Sequence, residues 1–156
     1  MTDDTVDALV VYERLRTIRE LLDDLDEIGD ISVDHLTHDR IRRHAVERIV
    51  TQVVDLAVSI NSHLAAVELG RGPANYRASF ADAAQAGALP DDLADKLAPS
   101  AGLRNILTHE YVGIDLSKVA DAVPLVRTDF RNYLSAIARY LEGKEAEKAA
   151  PSRDDV

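Results

Sequence analysis

The sequence predicts an all-α protein, an up-and-down bundle of four to five helices. Three observations carry that reading. Apolar residues recur at spacings of three and four through most of the chain, the period of a helix with one buried face. No run alternates polar and apolar residues over the length of a strand. Gly29, Gly70, Gly72, Pro73, Gly87 and Pro90 fall between the periodic segments, where breaks belong. With 156 residues, the chain fits one domain able to bury a core without covalent staples.

The first helix is expected over 8–28, with Leu15, Ile18, Leu22 and Leu25 inward and Gly29 closing it. Its acids read as a solvated face. In 30-DISVDHLTHDRIRRH-44, His35 and His38 stand beside Asp34 and Asp39, a spacing that raises a metal site. Capping explains the segment better: Thr37 as N-cap, with Leu36 and Ile41 as a hydrophobic staple. A long helix over 38–69 follows, buried along Ile41, Ala45, Ile49, Val53, Leu56, Ile60, Leu64 and Val67. Gln52, Asp55, Ser59 and His63 interrupt it in one line, which either borders a cleft or is the helix's only solvent strip.

Shorter helices are expected at about 75–86 and after Pro90, where Asp91 and Asp92 suit a helix N-terminus. Pro99 must bend or restart the chain. The last helix should run from about Leu116 to Glu142, with Pro124 either kinking it or starting its main part. The domain is therefore placed at 1–143. The tail 144–156, KEAEKAAPSRDDV after Gly143, has little to bury and is expected to be disordered.

Composition narrows the function classes. There are no cysteines, so disulfides and thiolate metal sites are excluded. The N-terminus lacks the basic and apolar regions of a secretory signal, and no apolar stretch is expected to span a bilayer. A soluble, cytoplasmic protein is the expectation. The net charge of −10 excludes a broad basic face for nucleic acid. Ten acids against three arginines in residues 1–30 account for −7 of it, so a local basic cleft stays open elsewhere.

The segment 103-LRNILTHEYVGID-115 concentrates the chemistry. On a straight helix, Leu103, Ile106, Leu107 and Ile114 face the core, and Arg104 and Tyr111 lie nearly in line on one flank. His109 stands about 140° round from Arg104, with Asn105. The three side chains thus do not converge on one straight helix. A helix that loosens before Gly113 could unite them, or a second copy across a two-fold axis. The plain alternative is a helix end, with His109 suited to the C-terminal dipole and Gly113 to a left-handed stop.

Arg104-Asn105-Ile106-Leu107-Thr108-His109-Glu110-Tyr111 resembles the R-x4-H-x-Y signature of the HepT-like toxins, a branch of the HEPN superfamily. The lead-in 76-YRASFADAAQAGALPDDLADKLAPSAGLRN-105 and the long helix carrying Asp55 are similar too, so the resemblance covers about residues 8–143. It implies a helical homodimer whose paired motifs form a metal-independent endoribonuclease site without a cofactor. Arg104 would hold the scissile phosphate and stabilise its developing charge. His109 would move a proton at the ribose 2′-hydroxyl or the leaving 5′-oxygen. Asn105 would orient the histidine or the phosphate, and Asp55 would approach the same cleft. Such chemistry uses RNA, whether transfer or messenger, and spares DNA. The resemblance also implies a minimal nucleotidyltransferase as antitoxin partner, transferring AMP to Tyr111. A non-catalytic helical adaptor for that partner, or a nucleotide-binding bundle, is the alternative.

Overall fold

The computed structural model describes residues 5–109 and 112–150, and its described residues are helical and contain no strand. Seven helices follow in order: α1 Ala8–Ile28, α2 Val33–His38, α3 Arg40–Leu69, α4 Tyr76–Gln85, α5 Asp91–Leu97, α6 Pro99–His109 and α7 Leu116–Ala149. The long helices α1, α3 and α7 form the frame, and α4 and α6 pack on α3. The short α2 is the addition to the expected helices, and α5 is the helix expected after Pro90. The all-α bundle is as expected.

α1 buries Val11, Leu15, Ile18, Leu22 and Leu25, each three or four residues from the next. Gly29 ends it at φ +84, a conformation that costs an L side chain energy. Its acidic face is not left wholly to solvent. Arg131 on α7 donates through Nη2 to Asp23 at 2.7 Å and to Asp26 at 2.8 Å. Arg127 lies deeper: its Nη2 donates to the carbonyls of Leu25 (2.7 Å) and Gly29, and its Nε lies 3.4 Å from Asp26. A guanidinium thus satisfies the orphan carbonyls of α1 and meets the negative end of the helix dipole.

The predicted cap at Thr37 is corrected. Thr37 lies inside α2 and donates its hydroxyl to the Val33 carbonyl at 2.7 Å. Ser32 begins α2 in a reciprocal capping box with His35, and Asp39 separates α2 from α3 while accepting from the Arg42 N–H at 3.0 Å. Ile41 is 83% exposed, so the Leu36–Ile41 staple does not form and the buried stripe of α3 starts farther along. His35 and His38 serve local contacts, His38 with Asp34 at 3.0 Å.

By length and composition alone α3 is apolar enough to cross a bilayer, a test that a mostly buried core helix also passes. Here its apolar residues are buried between α1, α4 and α6: Val46, Val50, Val53, Val54, Ala57, Ile60 and Leu64 are at or near zero exposure. Phe80, Phe130 and Tyr133 meet edge to face at its side, with centroids 6.0–6.5 Å apart. A polar chain runs through this core. The Tyr133 hydroxyl donates to Asn61 Oδ1 at 2.7 Å, Asn61 Nδ2 donates to Ser79 Oγ at 3.2 Å, and Ser79 Oγ donates to the Tyr76 carbonyl at 2.7 Å. Burial pushes the Tyr133 phenol well above its usual range, which keeps it a donor.

α7 starts at Leu116 on an Asp115 cap and runs through Pro124, so Pro124 does not begin it. The helix also continues past Gly143 to Ala149, which corrects the disordered tail for residues 144–149. Lys144 is held there by Glu68 at 2.8 Å and lies over the Tyr140 ring, and the Glu, Lys and Ala that follow favour helix. Residues 151–156 lie outside the described residues.

Candidate active site

The site forms where α6 crosses the middle of α3. Thr51 and Asp55 stand on the α3 side; Arg104, Leu107 and Thr108 stand on α6. Leu103 and Leu107 pack against the core and fix the face that α6 turns inward, leaving Arg104 on its flank. α6 is described over Pro99–His109, and Val112 is no longer helical, so a helix over 103–114 does not form. Gly113 follows at φ +82, which cannot continue a right-handed helix.

Arg104 is gripped on two sides. Its Nε donates to Asp55 Oδ1 at 2.8 Å, and its guanidinium carbon sits 4.8 Å from the centroid of the Tyr76 ring. The side chain is only 19% exposed. No other described residue takes its two terminal nitrogens. The pairing with Asp55 therefore orients the guanidinium while leaving its outer edge for a second anion, the forked geometry that suits a phosphate. The polar line on α3 also resolves into parts: Asp55 faces α6, whereas His63 Nε2 accepts the Asp7 N–H at 2.9 Å near the start of α1.

His109 and Asn105 are exposed. No hydrogen bond or ion pair joins either side chain to Arg104 or Asp55, so among the described site residues one chain pairs Arg104 with Asp55 and leaves His109 and Asn105 apart. Tyr111 lies outside the described residues. Beside Arg104 a groove of about 260 Å³ opens between α3 and α6, lined by His44, Glu47, Arg48, Thr51, Leu107 and Thr108. A second groove of similar size involves Val67, Glu68 and Lys144, on the order of 20 Å along α3 from Asp55, and adjoins none of these groups.

Sequence reasoning missed Tyr76, His44 and Arg48. Tyr76 is 28 positions before Arg104 and carries no spacing signal toward it. His44 and Arg48 are visible in the sequence as residues one turn apart on α3, eleven and seven positions before Asp55. The helical register would have placed them on the Asp55 side.

Comparison with known proteins finds relatives in sequence and in fold. The family model described as "Ribonuclease HepT-like" matches residues 18–137. The curated protein "tRNA nuclease HepT" of Aphanizomenon flos-aquae is 31% identical over 143 residues, covering 91% of this chain and 97% of that protein. Among solved structures, a tri-AMPylated Shewanella oneidensis HEPN toxin in complex with MNT antitoxin aligns with a TM-score of 0.74 at 24% identity, covering 89% of this chain and 99% of that one. The cytosolic protein of unknown function YutE from Bacillus subtilis aligns with a TM-score of 0.76 at 16% identity, covering 89% of this chain and 93% of its own. At those identities the structural likeness speaks for the fold.

Proposed function

Because the chain belongs to the ribonuclease HepT-like family, we propose that it is a metal-independent endoribonuclease, the toxin of a toxin–antitoxin pair. The observation that carries this reading is the grip on Arg104: Asp55 holds Nε and Tyr76 lies against the guanidinium, so the terminal nitrogens are presented as a fixed fork. That fork receives the scissile phosphodiester. The ribose 2′-oxygen attacks phosphorus, the P–O5′ bond breaks, and a 2′,3′-cyclic phosphate forms. The 2′-hydroxyl proton leaves to a base, and a proton reaches the departing 5′-oxygen. His109 performs one of these transfers, and its exposed position suits a reactant that arrives from solvent. A two-fold homodimer supplies a second His109 for the other, with Asn105 orienting imidazole or phosphate. The nucleophile comes from the substrate, so the reaction calls on no cofactor, and DNA lacks the group it needs.

The antitoxin in this reading is a minimal nucleotidyltransferase that transfers AMP to Tyr111. The added phosphate and nucleoside would occupy Arg104 and exclude RNA by charge and bulk. The relative named as a tRNA nuclease makes transfer RNA the first substrate to test. A cytoplasmic location goes with that substrate. The net charge of −10 favours a second reading, a non-catalytic adaptor or nucleotide-binding partner of the transferase.

The test is cleavage of transfer RNA in EDTA by the chain purified alone, beside His109→Ala. The expected result is cleavage with cyclic phosphate ends by the unaltered chain only. Equal cleavage by His109→Ala would remove His109 from the mechanism. Intact RNA with an unmodified, folded dimer would select the adaptor.

A further inference from the structure

The net charge poses a physical problem for any RNA-cleaving reading. Arg104, the cation at the proposed centre, is already paired with Asp55, and a chain at −10 repels RNA at a distance. Uncompensated positive charge has to lie nearby, and α3 carries it. On a helix of 100° per residue, Arg40, His44, Arg48, Thr51 and Asp55 fall within one sector of about 80°. The last of them holds Arg104. The strip between Arg40 and Asp55 is about 22 Å long.

Its charges are sorted in a particular way. Arg42 pairs with Asp39 at 3.6 Å, and Arg43 pairs with Glu47 at 2.8 Å. Both pairs therefore neutralise themselves, including the one acid that lines the groove. Arg40 and Arg48 are exposed and make no ion pair among the described residues. The threonine hydroxyls of the groove are not free donors: Thr51 donates to the Glu47 carbonyl and Thr108 to the Arg104 carbonyl, each at 2.8 Å. Donors for an anion in this groove are thus Arg48 and His44, with Arg40 one turn beyond.

We propose that Arg40, His44 and Arg48 form a phosphate track that leads a single strand of RNA along α3 to Arg104. Repeating cations on one strip suit a repeating anion, and the strip's end at Asp55, which holds Arg104, favours RNA over an acidic peptide. The proposal rests on the ribonuclease reading for the identity of its ligand. These are positioning residues, acting on substrate binding and not on the reacting atoms.

The experiment measures binding of a labelled transfer RNA to full-length His109→Ala protein across a salt series, with Arg40→Gln and Arg48→Gln added singly and together. Each loss should weaken binding about two- to fivefold. Each should also flatten the log–log salt dependence by about 0.7, the increment for one single-strand phosphate contact. Lysine at either position should restore the slope. Arg19→Gln removes the same charge on the α1–α7 side, where Arg19 borders Leu134 and Ala138; it should leave the slope unchanged. An unchanged slope in the double variant, or an equal change in Arg19→Gln, overturns the track. Preference of the groove for a poly-glutamate peptide over RNA overturns it as well. Failure of the ribonuclease reading looks different: the unaltered chain cuts no RNA, while Arg48-dependent binding persists.

Discussion

Two arginines, 23 positions apart, divide the molecule into a region that holds itself together and one that faces outward. Arg127 turns its guanidinium into the protein, capping the carbonyls of Leu25 and Gly29 beside Asp26. Arg104 uses Nε alone, on Asp55, and no other described residue takes its terminal nitrogens. Their side chains are similarly shielded, at 21% and 19% exposure, so burial does not tell them apart. The difference lies in which donors are engaged. Arg127 spends Nη2 on backbone carbonyls of its own fold, whereas Arg104, tethered at Nε, keeps both terminal nitrogens clear of the other described residues, the geometry that suits an anion.

The largest expected effect that tests this contrast is at Arg104. Arg104→Lys keeps the charge but loses the fork, and RNA cleavage should fall by about 10²–10³. Its unfolding free energy in urea should stay within about 1 kcal/mol of the parent's, because the Asp55 pair is partly solvated. Near-parental cleavage would reduce Arg104 to a mere charge. Arg127→Met should reverse the pattern. It keeps the apolar stem and leaves the α1 carbonyls unpaired, costing about 2–3 kcal/mol of stability with an unchanged denaturant slope. The specific activity of the folded fraction should not move; a loss of activity there would erase the distinction between the regions.

The smallest effect concerns a third ionic cluster. Hydrogen bonds from Lys144 and Tyr140 hold the Glu68 carboxyl below its ordinary value of 4.5. A depressed folded value means that the carboxylate's contribution is fully present above about pH 4.5 and is lost as the pH falls through the folded value. Glu68→Gln should therefore lower stability at pH 7 by less than about 1 kcal/mol and flatten the acid limb of the unfolding curve. An acid limb identical to the parent's would mean that the cluster adds nothing.

Local order explains what the sequence could reveal. The bounds of α1 follow from the spacing of Leu15, Ile18, Leu22 and Leu25 and from Gly29, all of which act within a few residues. The cap between α2 and α3 was ambiguous because Thr37 and Asp39 are both good capping residues two positions apart, and only burial of Leu36 without Ile41 decides for Asp39. The end of α7 escapes composition because Lys144 is anchored by Glu68, 76 positions away. In the candidate site, Arg104, Asn105 and His109 announce themselves by their grouping, and Asp55 by the resemblance. Tyr76 does not, since its link to Arg104 exists only after α4 and α6 have both docked on α3.

That link has a thermodynamic consequence. A free arginine side chain has about 2 kcal/mol of rotamer entropy to lose. Between the Tyr76 ring and Asp55, most of that freedom is gone before any ligand is present. The Tyr133–Asn61–Ser79 chain ends on the Tyr76 carbonyl, so the surface that immobilises Arg104 is itself tied to the interior. The ordering is done when the protein folds, and an anion that reaches this guanidinium keeps the binding energy that freezing a mobile side chain would otherwise consume.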